Sequence, residues 1–247
     1  MDRMIYLALS GANAAMHRKQ ALTHNLANVS TNGFRAELST FRAVPLRGEG
    51  ASTRAFALEA TAGHLDTPGT MNQTGRNLDV AALGRSFFAV QALDGTEAYT
   101  RAGALQVSAQ GQLVGVNGLP MLDDGAAPID VPANAQVMIA SDGTVSARVG
   151  NEPPQAIGRL KLVTPDDAAQ RLVRGNDGLF RSADGAPLAA DPAATLADGT
   201  LEGSNVNPIE AMVGMISVAR QYELQLRMLQ NAERNDQTAS RLLSLQG

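Results

Sequence analysis

The sequence predicts an α+β fold, in which a β-rich middle domain lies between N- and C-terminal helices that pair as a coiled-coil-like assembly domain. Apolar residues recur with helical spacing near both ends. Between the ends, six Asp-Gly pairs separate short apolar runs, and this dipeptide favours tight turns between antiparallel strands. We expect residues 1–34 and 203–247 to form the helical domain, 73–188 the middle domain, and 35–72 and 189–202 extended connections.

The N-terminal segment places apolar residues on one side of a helix, at alternating spacings of three and four. Because this stripe is rich in Ala, each residue buries little area, and the helix needs a partner to persist in water. The turn-favouring residues from Ser30 to Gly33 predict that the helix ends near Ser30. The candidate assembly seam on this helix consists of Ile5, Ala8, Ala12, Ala15, Leu22 and Leu26.

The C-terminal segment opens with a helix start signal. Asn207 can cap the helix, Pro208 suits its first position, and Glu210 suits its third. Apolar residues then follow a seven-residue repeat, until Glu233 and Asp236 interrupt it. This pattern fits a coiled-coil or bundle contact, and equally an amphipathic helix docked on the chain's own core. The candidate seam residues here are Met212, Met215, Ala219, Tyr222, Leu226 and Leu229.

The middle of the chain reads as short strands punctuated by turns, typical of a sandwich or open barrel. The region from 35 to 72 contains Gly, Thr and Pro with isolated apolar residues, which indicates an extended linker with some strand character. The strand candidates are Leu78 to Ala82, Phe87 to Ala92, Ala104 to Val107, Gln112 to Val116, Val137 to Ala140, Val145 to Val149 and Gly158 to Val163.

Composition excludes several classes of protein. The net charge is -4 and the 20 basic residues are scattered, so no basic stripe predicts nucleic-acid binding. The chain has no Cys, which excludes disulfides and thiol chemistry. No apolar run approaches the roughly 18 residues of a membrane span. The apolar run Met4 to Leu9 is also short for a signal peptide, so we expect no cleaved signal.

The sequence offers no cluster of residues suited to catalysis. His17 and His24 are seven residues apart, roughly 10 Å along a helix axis, which is too far for the pair to hold one metal ion. No Gly-x-Ser-x-Gly element supplies a hydrolase nucleophile. The adjacent carboxylates Asp123 and Asp124 suit a turn better than paired acid-base chemistry. We therefore expect no enzymatic activity, no cofactor and no metal.

Three stretches resemble a known family. Asn25-Leu26-Ala27-Asn28-Val29-Ser30-Thr31-Asn32-Gly33-Phe34 meets every fixed position of the motif that ends the N-terminal helix of flagellar rod and hook axial proteins. The stretch from Asn77 to Val90, with Tyr99-Thr100-Arg101-Ala102-Gly103, is similar to that family's entry into its middle domain. The stretch from Leu201 to Asn207, with residues up to Glu223, is similar to its C-terminal motif.

The resemblance implies a structural subunit of the bacterial basal-body rod, which carries torque from motor to hook. Its implied partners are further copies of the chain, other rod proteins and the flagellar type III export apparatus, and its implied location is the rod in the periplasmic space. Length and opening residues resemble proximal-rod members most, with distal-rod members as the alternative. The resemblance also implies that a joint between helix and body is formed by Asn25, Asn28, Thr31, Gly33 and Phe34.

A function of another class stays open on the sequence alone. A soluble β-domain that binds a ligand, with its terminal helices clamping its base, would show the same alternation of helices and short strands. The two hypotheses differ in what the helices contact, which is either other subunits or the body of their own chain.

Overall fold

The computed structural model describes residues 2–45, 55–166 and 172–244. Over these residues the chain forms an N-terminal helix, α1 (Asp2–Ala27), and a C-terminal helix, α2 (Pro208–Ser244), with strands between them. This arrangement confirms the α+β class. The strands are β1 (Glu37–Pro45), β2 (Ala55–His64), β3 (Met71–Gln73), β4 (Val80–Ala82), β5 (Phe87–Gln91), β6 (Glu97–Thr100), β7 (Leu105–Val107), β8 (Leu113–Gly115), β9 (Ala135–Ile139), β10 (Thr144–Val149), β11 (Gln155–Arg159), β12 (Leu162–Val163), β13 (Leu172–Arg174), β14 (Phe180–Ser182), β15 (Leu196–Asp198) and β16 (Thr200–Glu202).

The chain divides into two compact units. The helical unit contains α1, α2 and the hairpin of β1 and β2, and it spans Met1–Val29, Ala36–His64 and Val206–Gly247. The β unit spans Ser30–Arg35 and Leu65–Asn205. This division differs from the one expected from sequence, because the hairpin joins the helices and the β unit extends to Asn205.

In the helical unit, α1 and α2 pack antiparallel, since Gly11 lies against Gln225 and Leu22 lies against Gly214. A methyl group on Gly214 would meet the Leu22 side chain at 3.2 Å. Small residues thus allow the two helices to approach closely. In the described part of the chain, neither helix is long and apolar enough to cross a bilayer.

The face of α2 that meets α1 is shifted by one residue from part of the predicted seam. Met212 and Leu226 are 49% and 38% exposed, whereas Ala211 and Val218 are buried. The reason is size, because close contact with an Ala-rich helix favours small side chains over Met and Leu. On α1, Ala8, Ala12 and Ala15 are buried, and the predicted seam residues that are partly buried are Ile5, Leu22, Leu26, Met215, Ala219, Tyr222 and Leu229.

The helix ends follow the local signals in the sequence. The Asn207 Oδ1 atom accepts hydrogen bonds from the backbone N–H groups of Ile209 at 3.1 Å and Glu210 at 3.3 Å. This confirms Asn207 as the cap of α2, since it satisfies backbone donors that have no partner within the helix. At the other end of the chain, α1 ends at Ala27, three residues before Ser30.

The segment expected as an extended connection contains a hairpin. β1 and β2 pair antiparallel from Glu37 opposite His64 to Pro45 opposite Ala55, with a bulge between Thr40 and Phe41. The hairpin lies against α1. Its sequence alternates too weakly to indicate two long strands, so the sequence predicted only some strand character.

The β unit is built from small antiparallel sheets. Its largest sheet has the strand order β12-β5-β6-β14-β13, and a three-stranded sheet has the order β11-β10-β9. Strand pairs β15-β4, β16-β3 and β7-β8 complete the unit. The main core packs apolar side chains from most of these strands, and its fully buried members include Val80, Phe88, Leu105, Leu113, Met121 and Val145.

Three of the predicted Asp-Gly turns join neighbouring antiparallel strands, and they are Asp94-Gly95, Asp142-Gly143 and Asp177-Gly178. The Asp142 carboxylate accepts hydrogen bonds from the Thr144 backbone N–H at 3.0 Å and the Thr144 hydroxyl at 2.8 Å. These bonds stabilise the ionised form, so the pKa of Asp142 lies below its ordinary value. The prediction of β-turns from this dipeptide therefore holds where the aspartate also fixes the turn.

Tyr99 joins two parts of the β unit through its hydroxyl group. The hydroxyl donates to Glu97 Oε1 at 2.8 Å and accepts from the Leu188 backbone N–H at 2.6 Å. Lys161 Nζ pairs with the other Glu97 oxygen at 2.8 Å. Burial raises the pKa of the Tyr99 phenol well above its ordinary value, and the hydrogen bond to Glu97 adds to the shift.

This shift predicts a loss of stability in alkali. Above the ordinary tyrosine pKa of about 10, Tyr99 ionises in the unfolded chain but stays neutral in the folded one, so the free energy of unfolding falls as pH rises. Urea unfolding of Tyr99→Phe and of the unchanged chain between pH 8 and 11, followed by circular dichroism, measures how the free energy of unfolding depends on pH. Tyr99→Phe should be less stable at pH 8, because it lacks both hydrogen bonds, but should lose less stability as pH rises. Equal slopes would contradict the assignment.

Candidate functional site

The motif from Asn25 to Phe34 begins with a buried amide that holds the end of α1. Asn25 Nδ2 donates to the Glu37 carbonyl oxygen at 2.9 Å, and Asn25 Oδ1 accepts from the Glu37 N–H at 2.8 Å. One side chain therefore satisfies both backbone groups at the start of β1, as a neighbouring strand would. Asparagine suits this task because its amide carries a donor and an acceptor on one planar group.

The second asparagine of the motif closes the end of α1. Asn28 Nδ2 donates to the His24 carbonyl oxygen at 2.9 Å, and the Asn28 N–H reaches the same oxygen at 3.2 Å. These bonds occupy a carbonyl that the end of the helix leaves without an intrahelical partner. His24 Nδ1 also lies 3.1 Å from Glu37 Oε2, but both side chains are well exposed, so this contact contributes little.

Thr31 and Gly33 turn the chain into the β unit. The Thr31 carbonyl oxygen accepts from the Phe34 N–H at 3.3 Å. Gly33 has a φ of +71°, and a Cβ atom there would lie 2.4 Å from the carbonyl carbon of Arg101. Both the left-handed backbone and the lack of space require glycine. The Gly33 N–H donates to the Glu202 carbonyl oxygen at 2.8 Å.

Phe34 is buried under a cation. The Arg174 guanidinium carbon lies 4.4 Å from the centroid of the Phe34 ring, within the range of a cation–π contact. The Phe34 carbonyl oxygen accepts from the Asn205 N–H at 3.3 Å. The end of the motif is therefore packed into the β unit and bonded to the segment that precedes α2.

A buried charge cluster, formed by Arg35, Arg101 and Glu202, lies directly after this motif. The three residues are 2%, 1% and 1% exposed. Arg35 Nη1 lies 2.7 Å from Glu202 Oε1, and Arg101 Nε lies 2.8 Å from Glu202 Oε2. One carboxylate thus balances two guanidinium groups that come from distant parts of the sequence.

Every guanidinium nitrogen of Arg101 has an acceptor. Nε and Nη2 bond Glu202, Nη2 also donates to the Ala82 carbonyl oxygen at 2.8 Å, and Nη1 donates to the carbonyl oxygens of Gly84 and Ser86. Burial lowers the pKa of Arg101, while Glu202 counteracts the shift; the guanidinium stays charged, as arginine does in proteins. The side chain therefore gives a ligand no unused donor.

Glu202 also holds the chain around it. Its Oε1 atom accepts from the Gly69 N–H at 2.9 Å, where a Cβ atom on Gly69 would lie 2.0 Å from the Gly203 carbonyl oxygen. Asn205 Nδ2 donates to the carbonyl oxygens of Leu65 at 3.0 Å and Thr67 at 2.9 Å. The segment that leads to α2 is therefore bonded both to the N-terminal motif and to residues 65–69, where the chain re-enters the β unit.

That these five residues form a joint stays a prediction, and the sequence analysis missed the charge cluster. Asn25 and Asn28 bond within the helical unit, whereas Thr31, Gly33 and Phe34 belong to the β unit. The signal for the cluster was present, because Arg35 follows Phe34 directly, Arg101 lies in Tyr-Thr-Arg-Ala-Gly, and Glu202 lies in Leu-Glu-Gly-Ser-Asn. A charged residue within or directly beside each of the three motifs was the available signal.

Comparisons with known proteins match the same regions. A family model described as "Flagellar hook protein FlgE/F/G D1 domain" matches residues 81–147, and one described as "Flagellar basal body rod FlgEFG protein C-terminal" matches residues 197–242. Arg101 lies in the first range and Glu202 in the second. These two residues of the charge cluster therefore fall inside the matched segments.

Three curated relatives cover almost the whole chain. The flagellar basal-body rod proteins FlgF of Salmonella typhimurium and Escherichia coli are each 42% identical over 254 residues, which cover 99% of this chain and 100% of each relative. The flagellar basal-body rod protein FlgG of Buchnera aphidicola subspecies Acyrthosiphon pisum is 30% identical over 260 residues, which cover 96% of this chain and 98% of the relative.

The paired bonds of Asn25 predict that its amide cannot be replaced by a carboxylate. Asn25→Asp keeps an acceptor for the Glu37 N–H but sets a charge against the Glu37 carbonyl oxygen, so the helical unit should lose about 2 kcal/mol. Thermal unfolding followed by helical circular dichroism measures the change. Asn13→Asp, which adds the same charge at an exposed position of α1, serves as the control. If the two variants melt alike, the paired bonds do not stabilise the joint.

The four hydrogen bonds of Arg101 predict that lysine is a poor substitute. Arg101→Lys offers at most three donors, so it leaves buried acceptors unpaired and should lower the free energy of unfolding by about 3 kcal/mol. Arg85→Lys alters a half-exposed ion pair with Asp66 and should cost about 0.5 kcal/mol or less. Urea unfolding of both variants tests the difference, and similar losses would count against the cluster as a main source of stability.

Proposed function

The chain belongs to the FlgF family of flagellar basal-body rod proteins, and we propose that it is a structural subunit of the proximal rod. In this role it polymerises with copies of itself and with other rod proteins into the shaft that transmits torque. The FlgF relatives share 42% of residues with the chain, against 30% for the FlgG relative described above. This difference favours the FlgF assignment over the distal-rod alternative.

The observation that carries the proposal is a second apolar face on α2. The face that meets α1 contains Ala211, Val218 and Ala232. On the opposite side of the helix, four apolar side chains are more than half exposed, and they are Ile209, Val213, Ile216 and Leu224. Apolar stripes of this kind mark surfaces that bind protein. We call this stripe the outer face of α2.

α1 has a corresponding outer face. Tyr6, Leu9 and Met16 follow one side of the helix and are about half exposed or more. Each helix therefore has one face for its partner within the chain and another available to a neighbour. Both faces support a coiled-coil-like assembly domain, in which the inner residues hold the pair together and the outer residues contact other subunits.

The residues of the predicted seam are divided between these surfaces. Its members Ala8, Ala12 and Ala15 lie on the inner side of α1, where they hold α1 to α2. Met212 and Leu226 are exposed beside the inner face of α2, so they are available to neighbouring subunits. Inner contacts between small residues bury little area, and we infer that neighbouring subunits complete the stability of the helical unit.

The joint supports a role in carrying load. The chain passes between its two units at four places, which are 29/30, 35/36, 64/65 and 205/206. In the β unit, hydrogen bonds and the charge cluster tie the segments next to these crossings to one another, through Arg35, Glu202 and Asn205. A torque applied to either helix would thus reach several strands at once.

The remaining parts of the proposal follow from family membership. We propose that the flagellar type III apparatus exports the chain and that it resides in the basal-body rod, in the periplasmic space, without catalytic activity. The ligand-binding alternative has less support. The buried polar cluster of the β unit is occupied by its own side chains, and each guanidinium nitrogen of Arg101 already has an acceptor.

Charge on exposed apolar side chains of α2 should block assembly without unfolding the subunit. Ile216→Asp and Leu226→Asp alter exposed side chains, so the purified chains should keep wild-type helical and β-sheet spectra, while incorporation into isolated basal bodies falls at least tenfold. Immunoblots of basal bodies, from cells in which each variant replaces the native chain, measure incorporation. Asn151→Asp, in an exposed turn of the β unit, adds the same charge and should assemble normally.

Two outcomes would contradict this assignment. Normal incorporation of Ile216→Asp and Leu226→Asp would exclude these positions from assembly contacts. Absence of the unchanged chain from basal bodies, when a functional flagellum is present, would refute the rod assignment itself. Loss of the chain from basal bodies of cells that lack the export apparatus does not by itself show that the chain is exported. Export is therefore measured separately, as the appearance of the chain outside the cytoplasm.

A further inference from the structure

We propose that the charge cluster couples the two segments that connect the β unit to the helices, so that each is ordered only when the other is. The first segment, residues 30–35, follows α1, and the second, residues 200–205, precedes α2. Neither the sequence motifs nor the role as a rod subunit requires such coupling. It would make the exit from one helix and the entry to the other a single structural element.

Direct bonds join the two segments at three points. The Gly33 N–H donates to the Glu202 carbonyl oxygen at 2.8 Å, the Asn205 N–H donates to the Phe34 carbonyl oxygen at 3.3 Å, and Arg35 Nη1 lies 2.7 Å from Glu202 Oε1. The third contact is between charges, and both side chains are almost completely buried. Burial makes this contact much stronger than an ion pair at the surface.

Arg101 extends the coupling into the interior of the β unit. It lies against the same carboxylate as Arg35, and Arg35 acts on it as a like charge that lowers its pKa. If residues 200–205 left their place, two buried guanidinium groups would face each other without Glu202. Such an arrangement is costly, and the simplest relief is for Arg35 to leave as well, together with its segment.

A purely local role would look different. β16 also pairs with β3, with Thr200 opposite Gln73 and Glu202 opposite Met71, and this pairing could hold the second segment by itself. Loss of Glu202 would then disturb these two strands and leave residues 30–35 in place. Coupling predicts instead that a change in either segment is felt in the other to a similar extent, because coupling between two sites is reciprocal.

Amide hydrogen exchange of the full-length chain, followed by mass spectrometry, tests the coupling. Glu202→Gln should raise exchange in residues 31–36 by about 100-fold or more, beyond any change in the core strand β5. Phe34→Ala, which removes a buried ring of the first segment and leaves the side chains of the charge cluster unchanged, should raise exchange in residues 200–205 in the same way. The matched control is Glu97→Gln, which alters a separate ion pair of the β unit, with Lys161 at 2.8 Å, whose two side chains are each 7% exposed. In this variant, exchange in both segments should rise no more than exchange in β5 does.

Several outcomes would overturn the proposal. They are faster exchange confined to β3 and β16 in Glu202→Gln, unchanged exchange in residues 200–205 of Phe34→Ala, or an equal effect of Glu97→Gln on both segments. If Glu202→Gln does not fold, the unchanged chain is studied in increasing urea below its unfolding transition. Coupled segments should then open with one free energy and one urea dependence, and two separate values would refute the coupling.

Discussion

The organisation of the β unit depends on the buried ion pairs of the Glu202 carboxylate. It balances Arg35 and Arg101 and accepts the Gly69 N–H, while its backbone oxygen accepts the Gly33 N–H. Three other stretches of the sequence, around residues 33–35, 69 and 101, therefore meet at Glu202. A buried carboxylate with two buried cations tolerates little displacement, because any movement leaves charge without a partner. The main apolar core holds the strands together, but this cluster determines where the ends of the unit lie.

The joint motif and the cluster use different means for related tasks. In the helical unit, Asn25 fixes the start of β1 with a buried neutral amide. In the β unit, buried ion pairs hold the segments in place instead. Gly33 and Gly69 leave room for these segments to approach one another closely. The motif is thus informative because most of its fixed positions have a backbone partner or a steric constraint that few other residues satisfy.

Much of this could be predicted from sequence wherever the signal was local. Neighbouring residues determine the Asn207 cap, the two helices and the Asp-Gly turns at Asp94, Asp142 and Asp177. The hairpin of β1 and β2 and the contact of Ala211 with α1 depend on partners distant in sequence. So does the charge cluster, since Arg101 and Glu202 are 101 residues apart. Periodicity identifies which side of a helix is apolar, but it does not distinguish a small inner residue such as Ala211 from the larger Met212 beside it.

The small residues between α1 and α2 also determine how the two units respond to temperature. Contacts of Ala8, Ala12 and Ala211 bury little apolar surface, so separating the helices adds little to the heat capacity of unfolding. The β unit, with Phe88, Leu105 and Met121 in its core, exposes far more. Stability of the helix pair should therefore vary gently between cold and warm conditions, whereas that of the β unit follows a more strongly curved profile. A bacterium that swims across a range of temperatures would retain nearly constant contacts at the helices.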